Sequence, residues 1–496
     1  MKKFKKNRDK RKDERIAIID IGSNSIRFVM YDQLGHYPYP IFDERVTAKL
    51  GDGLDKSGKM NVTNIKVALE AIARFAKIFN SLNTNQIIIV ATAAVRRAKN
   101  AQEFIKPAEK ILNQKIKVIT PEEEAFFMVN GLTNGIPKLT GLVVDLGGGS
   151  TEIALVKKGK LLNSTSLPIG HLSSVTSEKI REKLNEVSWL RSMTGQTLYG
   201  IGGSFRAIGK AYLEESNYPV KLLHRLNVNS EALHKIINKL ENGVRVSGIP
   251  EGRLPTIGTA AFIIRHLFEA TNCGDLVVSG TSIRDGLILS FQKDRYSGND
   301  AINLVSEELS KENERVSGEG KKIHKFLRKV ATSSAKSIVR KGDLQNIEGL
   351  IKIVCLLGNI CWREPSENRG KIAFERVLSL PVYSLSHKER VWLATALFHR
   401  YEGIRTPLKT LTSAHEVLTN NEWKFALAIG LGIRFTSIFC AGNVDFLNDV
   451  KLSISEKELI ISLKDDNLDL MDFHSKRRFK NFAQALGFQD KIELVS

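Results

Sequence analysis

The sequence predicts an α/β protein made of two similar lobes, followed by a mainly helical C-terminal domain. Three observations carry this. "AIIDIGSNS" (17–25) and "VVDLGGGST" (143–151) are two versions of one pattern: an apolar strand, an aspartate, a glycine-bearing turn, then small hydroxyl or amide residues. Each copy is followed by alternating helical and strand periodicity, so the chain reads as an internal duplication with lobes at 15–135 and 136–305. Beyond these the periodicity turns helical. The polar stretch 306–323 reads as a linker, and 324–496 form the third domain.

Residues 15–32 read as strand, tight turn, strand. Val62, Ile65, Leu69, Ile72 and Phe75 recur at helical spacing. Gln86 to Val90 form a short buried strand, 101–113 a helix and 115–120 a strand. "PEEEAFFMVNGL" opens with Pro121 and three acids, the signature of a helix N-terminus. The second lobe starts with three strands over 139–170, with Gly159 in the second turn. Helices follow at 176–190 and 204–215, and 275–288 reads as strand, turn, helix. In the third domain helical patterns run over 324–341, 345–362, 387–401, 411–418 and 421–433. A hairpin follows at 451–466, and 475–488 is a basic amphipathic helix.

The formal charge is +20 and the pI about 9.6, which favours polyanionic partners. The first fifteen residues hold nine basic and three acidic side chains, and 1–14 read as a disordered tail. That tail has no apolar core of a secretory signal, and no run of apolar residues is long enough to span a membrane. Cys273, Cys355, Cys361 and Cys440 have no disulfide or zinc-site spacing, so plain thiols in a reducing, cytoplasmic setting are expected.

Asp20 and Asp145 each close an apolar strand, where a carboxylate is costly unless wet, paired or bound to a cation. Beside them, Gly147, Gly148 and Gly149 offer backbone N–H groups that can cradle phosphate, with Ser150 and Thr151 adding hydroxyls and Glu152 a second carboxylate. Ser23, Asn24 and Ser25 do similar work in the first lobe. The alternative is a pair of plain tight hairpins. A dinucleotide fingerprint does not fit, because these turns lead into strands, and no GKS or GKT completes a P-loop.

The stretches "AIIDIGSNSIRFVMYD", "VATAAVRRAKN", "ITPEEEAFFM", "GLVVDLGGGSTEIALV", "LPIGH" and "LYGIGGSFRAIGK", with "GTSIRDGLI" more weakly, resemble the exopolyphosphatase / guanosine pentaphosphate phosphohydrolase family. That family belongs to the superfamily of actin, hexokinase and the heat-shock chaperone ATPases. The resemblance implies a duplicated ribonuclease H-like (actin-like) two-lobe core with a C-terminal mainly helical, degenerate HD-like domain. It carries the water-activating carboxylate onto Glu123, although Thr120-Pro121 replace the family's usual Ser-Gly before that run. Asp145, Glu152 and Asp20 would serve a divalent metal, Mg²⁺ or Mn²⁺. Ser23, Asn24, Arg96, Gly147, Gly148 and Ser150 would bind the terminal phosphate, and Gly202, Gly203 and Ser204 would line the far end of the cleft.

Chemistry supports these assignments. Phosphoryl transfer needs positioning and charge neutralisation. Arg96 offers a rigid fork of donors, Asp145 and Glu152 are oxygen ligands, and a helix start favours an ionised Glu123. The expected activity is release of orthophosphate from the ends of inorganic polyphosphate. Guanosine pentaphosphate hydrolysis is the alternative, an ATP-using kinase of the superfamily a further one, and a non-catalytic polyanion-binding protein the alternative of another class. Lys157, Lys158, Lys160, Lys321, Lys322, Lys325, Arg328 and Arg369 are candidates for the polyphosphate path, or simply a solvated face. The third domain lacks an HD dipeptide, so no second metal site is expected there, and His399 and Arg400 are candidates to face substrate. A homodimer is the default assembly, with no membrane and no specific nucleic acid as partner.

Overall fold

The computed structural model describes residues 15–31, 40–82, 86–291, 299–313, 318–340, 344, 346–380, 382–404 and 411–495. The basic tail at 1–14 lies outside the described residues. The chain divides into two compact units, 1–297 and 298–496.

The first unit contains two sheets. One is built from β1 (Ile16–Ile21), β2 (Ile26–Tyr31), β3 (Pro40–Val46), β4 (Gln86–Ala91) and β5 (Lys117–Val118), in the order β3-β2-β1-β4-β5. Between its strands run α1 (Val62–Ser81), α2 (Ala93–Arg97) and α3 (Ala101–Leu112), and α4 (Pro121–Gly135) follows β5. The other sheet uses β6 (Gly141–Leu146), β7 (Thr151–Lys157), β8 (Lys160–Leu167), β9 (Leu198–Ile201), β10 (Leu226–Val228) and β11 (Leu276–Val278), in the order β10-β11-β9-β6-β7-β8. With it come α5 (Ser177–Asn185), α6 (Gly202–Glu215), α7 (Ser230–Glu241), α8 (Leu254–Thr271) and α9 (Ile283–Phe291).

Both sheets share a plan. Three antiparallel strands run consecutively, and the first of them pairs in parallel with the next strand along the chain. Asp20 stands opposite Arg27, and Asp145 opposite Glu152. The first strand of each hairpin is central to its sheet, and "IAII" and "LVV" are accordingly buried on both faces. Two local readings change. The strand expected at 115–120 is only two residues long, and 176–190 splits into α5 and a 3₁₀ turn at Ser188–Met193.

Each lobe has its own core, around Phe28, Ile72, Phe75 and Phe104 in the first, and Leu198, Phe205, Ile237 and Leu276 in the second. Two helices are exchanged between them. Helix α4 follows the first sheet in sequence, yet its Ala125, Met128, Val129 and Leu132 pack on Val143, Ala154, Val156 and Ile201 of the second. Helix α9 follows the second sheet, yet Ile283, Leu287 and Ile288 pack on Ile16, Ile18, Val29 and Val90 of the first. Each such buried aliphatic side chain stabilises the joint by roughly 1.5–3 kcal/mol. The two helices meet directly. Asn130 Nδ2 donates to the Gly286 carbonyl at 3.2 Å, and a Cβ at Gly131 would stand 2.9 Å from the Gly286 amide.

The second unit contains α10 (Asn299–Asn313), α11 (Glu319–Ile338), α12 (Ile347–Leu356), α13 (Arg369–Leu378), α14 (His387–Glu402), α15 (Thr412–Val417), α16 (Asn420–Phe439) and α17 (Phe473–Leu486). A three-stranded sheet completes it, from β12 (Val450–Ser455), β13 (Glu458–Leu463) and β14 (Gln489–Leu494). Strand β14 pairs in parallel with β13, so the expected hairpin and basic helix join into a β-α-β crossover. The expected linker at 306–323 is largely helix, shared by the end of α10 and the start of α11, and the unit boundary falls at 297/298. Some of its polar residues are paired, Glu307 with Lys321 and Lys352, and others, Ser306, Ser310 and Glu319, are buried, while 314–317 lie outside the described residues. The four cysteines are free and buried.

A Cβ on Gly286 would overlap the carbonyl oxygen of Phe127. Gly286→Ala should therefore cost about 1–3 kcal/mol, seen as a lower midpoint in denaturant unfolding. An unchanged midpoint would show that the helix crossing is loosely packed.

Candidate active site between the two glycine turns

The two aspartate-bearing turns face each other. Each is closed by the same bond, Gly22 N–H to the Ser25 carbonyl at 3.1 Å and Gly147 N–H to the Ser150 carbonyl at 2.9 Å. Each has its outward carbonyls tied to a neighbouring segment. Lys49 and Gly51 amides donate to Asn24 and Ser23, and His171 and Leu172 amides donate to Gly147 and Gly148. With the carbonyls held away, the turns present N–H groups to the space between them. The turns nearly touch: a Cβ on Gly148 would lie 3.2 Å from the Ser23 Cβ. Arg97 bridges the lobes, its Nη1 donating to the Gly149 carbonyl at 3.0 Å and its Nη2 to Asp55 at 2.6 Å.

The cavity here holds about 160 Å³, room for an anionic end-group and less than a site enclosing a drug-sized ligand. Four carboxylates line it, Asp20, Glu124, Asp145 and Glu152, with five guanidiniums, Arg27, Arg45, Arg206, Arg253 and Arg284. Glu152 accepts from the Ser150 and Ser166 hydroxyls at 2.7 and 3.0 Å. Burial, and the neighbouring Asp145, push its pKa up to about 7. Burial also raises Asp145, and Asp20 adds to the effect. Glu124 is raised well above the usual carboxylate range by burial and by Glu152. Asp20 is paired with Arg284 Nη1 at 2.6 Å.

The cations divide into two sets. Arg27 is held by Asp43 and Arg284 by Asp20. Among the described residues Arg45 reaches the Ser25 hydroxyl, at 3.0 Å, and Arg253 reaches His171 Nε2, at 3.4 Å. Loss of water lowers the pKa of Arg45, Arg206 and Arg253, the last to about 10, and guanidinium neighbours depress each of them further. Among the described residues these three guanidiniums have no carboxylate within ion-pair distance, which makes them candidates to hold an anion. Buried His171, which lines the same cavity, is held neutral with a pKa of about 4, by burial and by Arg253.

The structure brings together Asp20, Ser23, Asn24, Asp145, Gly147, Gly148, Ser150, Glu152 and Gly203. Gly202 has φ +91 and a Cβ there would overlap Asp145 Oδ1, so this segment touches Asp145 and does not form the far end of the cleft. Ser204 is buried in the first turn of α6, off the cavity wall.

Other expectations are corrected. Glu123 does not enter the cleft. It closes a capping box with Thr120, accepting the Thr120 N–H at 3.0 Å, and it pairs with Lys117 at 2.5 Å. Those two partners keep it ionised, as expected, but on the outside. Glu124, one residue and about 100° further round the helix, lines the cavity. Arg96 does not line it either: its Nη1 donates to the Ile119 carbonyl at 2.8 Å and to Glu124 Oε2 at 3.0 Å, which orients that carboxylate. Lys157, Lys158 and Lys160 sit at the β7–β8 turn, about 20 Å along the strand from the glycine turn. In the second unit Lys321 pairs with Glu307, Lys322 with Asp445, and Arg369 donates to the Glu364 carbonyl, while Lys325 and Arg328 are exposed. His399 is fully buried, with Nδ1 bonded to the Gly403 carbonyl at 2.7 Å, so it belongs to a core and faces no substrate; Arg400 is buried beside it.

Sequence reasoning missed Arg27, Arg45, Arg206, Arg253, Arg284 and His171. Arg27, Arg206 and Arg284 stand within the quoted stretches, and His171 ends "LPIGH", so a signal existed for these. Arg45 and Arg253 come from segments with no motif.

The chain matches the Ppx/GppA phosphatase family over residues 29–294, and the exopolyphosphatase C-terminal family over 305–495. The chain belongs to the Ppx/GppA phosphatase family. Among curated relatives of this family member, guanosine-5'-triphosphate,3'-diphosphate pyrophosphatases from Aeromonas hydrophila and Pseudoalteromonas translucida are 25% and 27% identical over 298 and 295 residues. Each alignment covers 55% of this chain and 58% of the relative, so the chain spans little more than half the length of these proteins. The crystal structure of an exopolyphosphatase from Cytophaga hutchinsonii matches with a TM-score of 0.50 and 21% identity, covering 56% of this chain and 98% of that one, which shows a shared fold.

Inorganic phosphate or tripolyphosphate without metal should raise the melting temperature. At about ten times the dissociation constant the gain is roughly 1.4 kcal/mol, a few degrees. Arg253→Met should remove most of it. If the parent protein shows no shift with either anion, the three guanidiniums are not an anion site.

Proposed function

We propose that this protein hydrolyses a terminal phosphoanhydride bond, releasing orthophosphate from the ends of inorganic polyphosphate. The observation that carries the reading is the single cavity in which two glycine turns, four carboxylates and an unpaired guanidinium cluster converge. The shared plan of the two sheets supports a duplicated ribonuclease H-like (actin-like) core. Guanosine pentaphosphate is the second reading, favoured by the similarity to guanosine-5'-triphosphate,3'-diphosphate pyrophosphatases. Four unpaired buried thiols suit a cytoplasmic setting, and a homodimer is the assembly we propose.

The donor set fits Mg²⁺. Among the described residues no group of three or more His, Cys, Asp or Glu is arranged to hold a metal. Mg²⁺ does not need one, since it is commonly bound through one or two carboxylates, waters and the substrate's phosphates. Asp145 and Glu152, cross-strand neighbours with raised pKa values, are the two carboxylates we assign to it, with Asp20 nearby. The cation supplies charge neutralisation at the transferring phosphoryl group.

The chain's own residues do the rest. The amides of the two turns and the Ser150 hydroxyl hold the terminal phosphoryl group. Arg206, Arg253 and Arg45 take the anionic chain behind it. Glu124, held by Arg96, accepts a proton from the attacking water. Its raised pKa comes from burial and from the uncompensated charge of Glu152, and cancelling that charge returns Glu124 toward the ionised form a base needs.

Two outcomes check this. With Mg²⁺ and long-chain polyphosphate, Glu124→Gln should lower turnover about 10²–10⁴-fold while Glu123→Gln stays near the parent. The reverse order would return the base to Glu123. Separately, Mg²⁺ should stabilise the protein more at pH 8 than at pH 6, because below about 7 a proton on Glu152 competes with the cation. Asp145→Asn should abolish that gain, and a pH-independent gain would place the metal elsewhere.

A further inference from the structure

The carbonyls of Ser23, Asn24, Gly147 and Gly148 are each held by a backbone amide of their own lobe. The Gly149 carbonyl is held differently. Its donor is Arg97 Nη1, at 3.0 Å, from the end of α2 in the first lobe. Arg97 Nη2 donates to Asp55 at 2.6 Å, also in the first lobe. One arm of the rigid guanidinium fork is thus fixed at home while the other bonds across the gap. A Cβ on Gly149 would stand 3.3 Å from Ser23 Oγ and 3.8 Å from Arg97 Nη1, so this contact lies where the two turns meet.

Peptide geometry carries the consequence. The carbonyl and the N–H of a planar trans peptide point in opposite directions, so a bond that draws the Gly149 carbonyl toward Arg97 turns the Ser150 N–H the other way. Ser150 lines the cleft, and among the described residues its N–H has no protein partner. Three successive glycines leave this peptide free to rotate unless something holds it. We infer that Arg97 is a positioning residue: braced by Asp55, it latches the second lobe's turn from the first lobe and aims the Ser150 amide at the terminal phosphoryl group. The inference rests on the terminal-phosphate reading of the cleft. Because the bond forms only with the lobes together, lobe apposition and phosphate binding favour each other. Arg96, the preceding residue, orients Glu124, so the last turn of α2 sets both an amide and a carboxylate of the site.

The test is tripolyphosphate binding to the full chain without metal, followed by calorimetry and by NMR of deuterated protein carrying ¹³C-carbonyl glycine and ¹⁵N serine. That labelling selects the three Gly–Ser amides, Ser23, Ser150 and Ser204, and Ser150→Ala assigns the second. In the parent the ligand should shift the Ser150 amide. Arg97→Met should weaken binding about tenfold, the worth of one hydrogen bond to a charged group, and shrink the Ser150 shift at saturation while the Ser23 shift stays. Asp55→Ala separates aim from charge. It removes a negative charge near an anion, so an Arg97 acting by charge alone predicts tighter binding, whereas the latch predicts weaker binding. The double variant should bind no worse than Arg97→Met, since the two residues act through one bond. Parent-like affinity in Arg97→Met, or tighter binding in Asp55→Ala, overturns the inference and leaves the cleft reading standing. If Arg97→Met fails to fold, Asp55→Ala decides by the same sign. A parent whose Ser150 amide ignores tripolyphosphate removes the cleft reading, and the inference with it.

Discussion

The crossing of α4 and α9 holds the first unit together. Each helix is made by one lobe and buried by the other, so neither lobe can complete its sheet packing alone. Gly131 and Gly286 let the two helices approach to backbone contact, and Asn130 bonds across the joint. The site depends on this joint at both ends. The first turn of α4 carries Glu124, and the first turn of α9 carries Arg284, which reaches Asp20. The core exchange and the geometry of the candidate site are thus set by the same two helices.

Within that frame the cavity concentrates charge that the protein itself leaves unresolved. Asp145, Glu152 and Glu124 are driven toward their neutral forms by burial and by one another. Arg45, Arg206 and Arg253 are depressed by lost hydration and by neighbouring guanidiniums. The ion pairs at the site are Arg284 with Asp20, Arg27 with Asp43 and Arg96 with Glu124, and among the described residues neither Asp145 nor Glu152 pairs with Arg45, Arg206 or Arg253. The divalent cation and phosphate chain proposed for this site would relieve both. Such unrelieved charge in a cleft marks a functional site more than a structural one.

The register of α4 shows how far a motif reads chemistry. "PEEEA" announces a helix start bearing acids, and all three acids fit that description equally. The helix turns about 100° per residue, so Glu123 closes the capping box outside while Glu124 faces inward. Arg96 was legible as a cation near the site, but its partner, Glu124, is a helix away in sequence. The lysines of 157–160 show the opposite case. They stand close in sequence to the glycine turn and far from it in space, because an extended strand separates them.

What the sequence determined by itself is local. The doubled strand–Asp–Gly turns, the strand and helix periodicities, the capped start of α4 and the family motifs all rest on residues within a few positions of one another, where backbone sterics and side-chain period are sufficient. What only tertiary structure decided is which side chains share a space. The exchange of α4 and α9, the inward turn of Glu124, and the meeting of Arg45, Arg206, Arg253 and Arg284 depend on contacts between segments up to 264 residues apart. Burial and charge act through those contacts, and no local pattern encodes them.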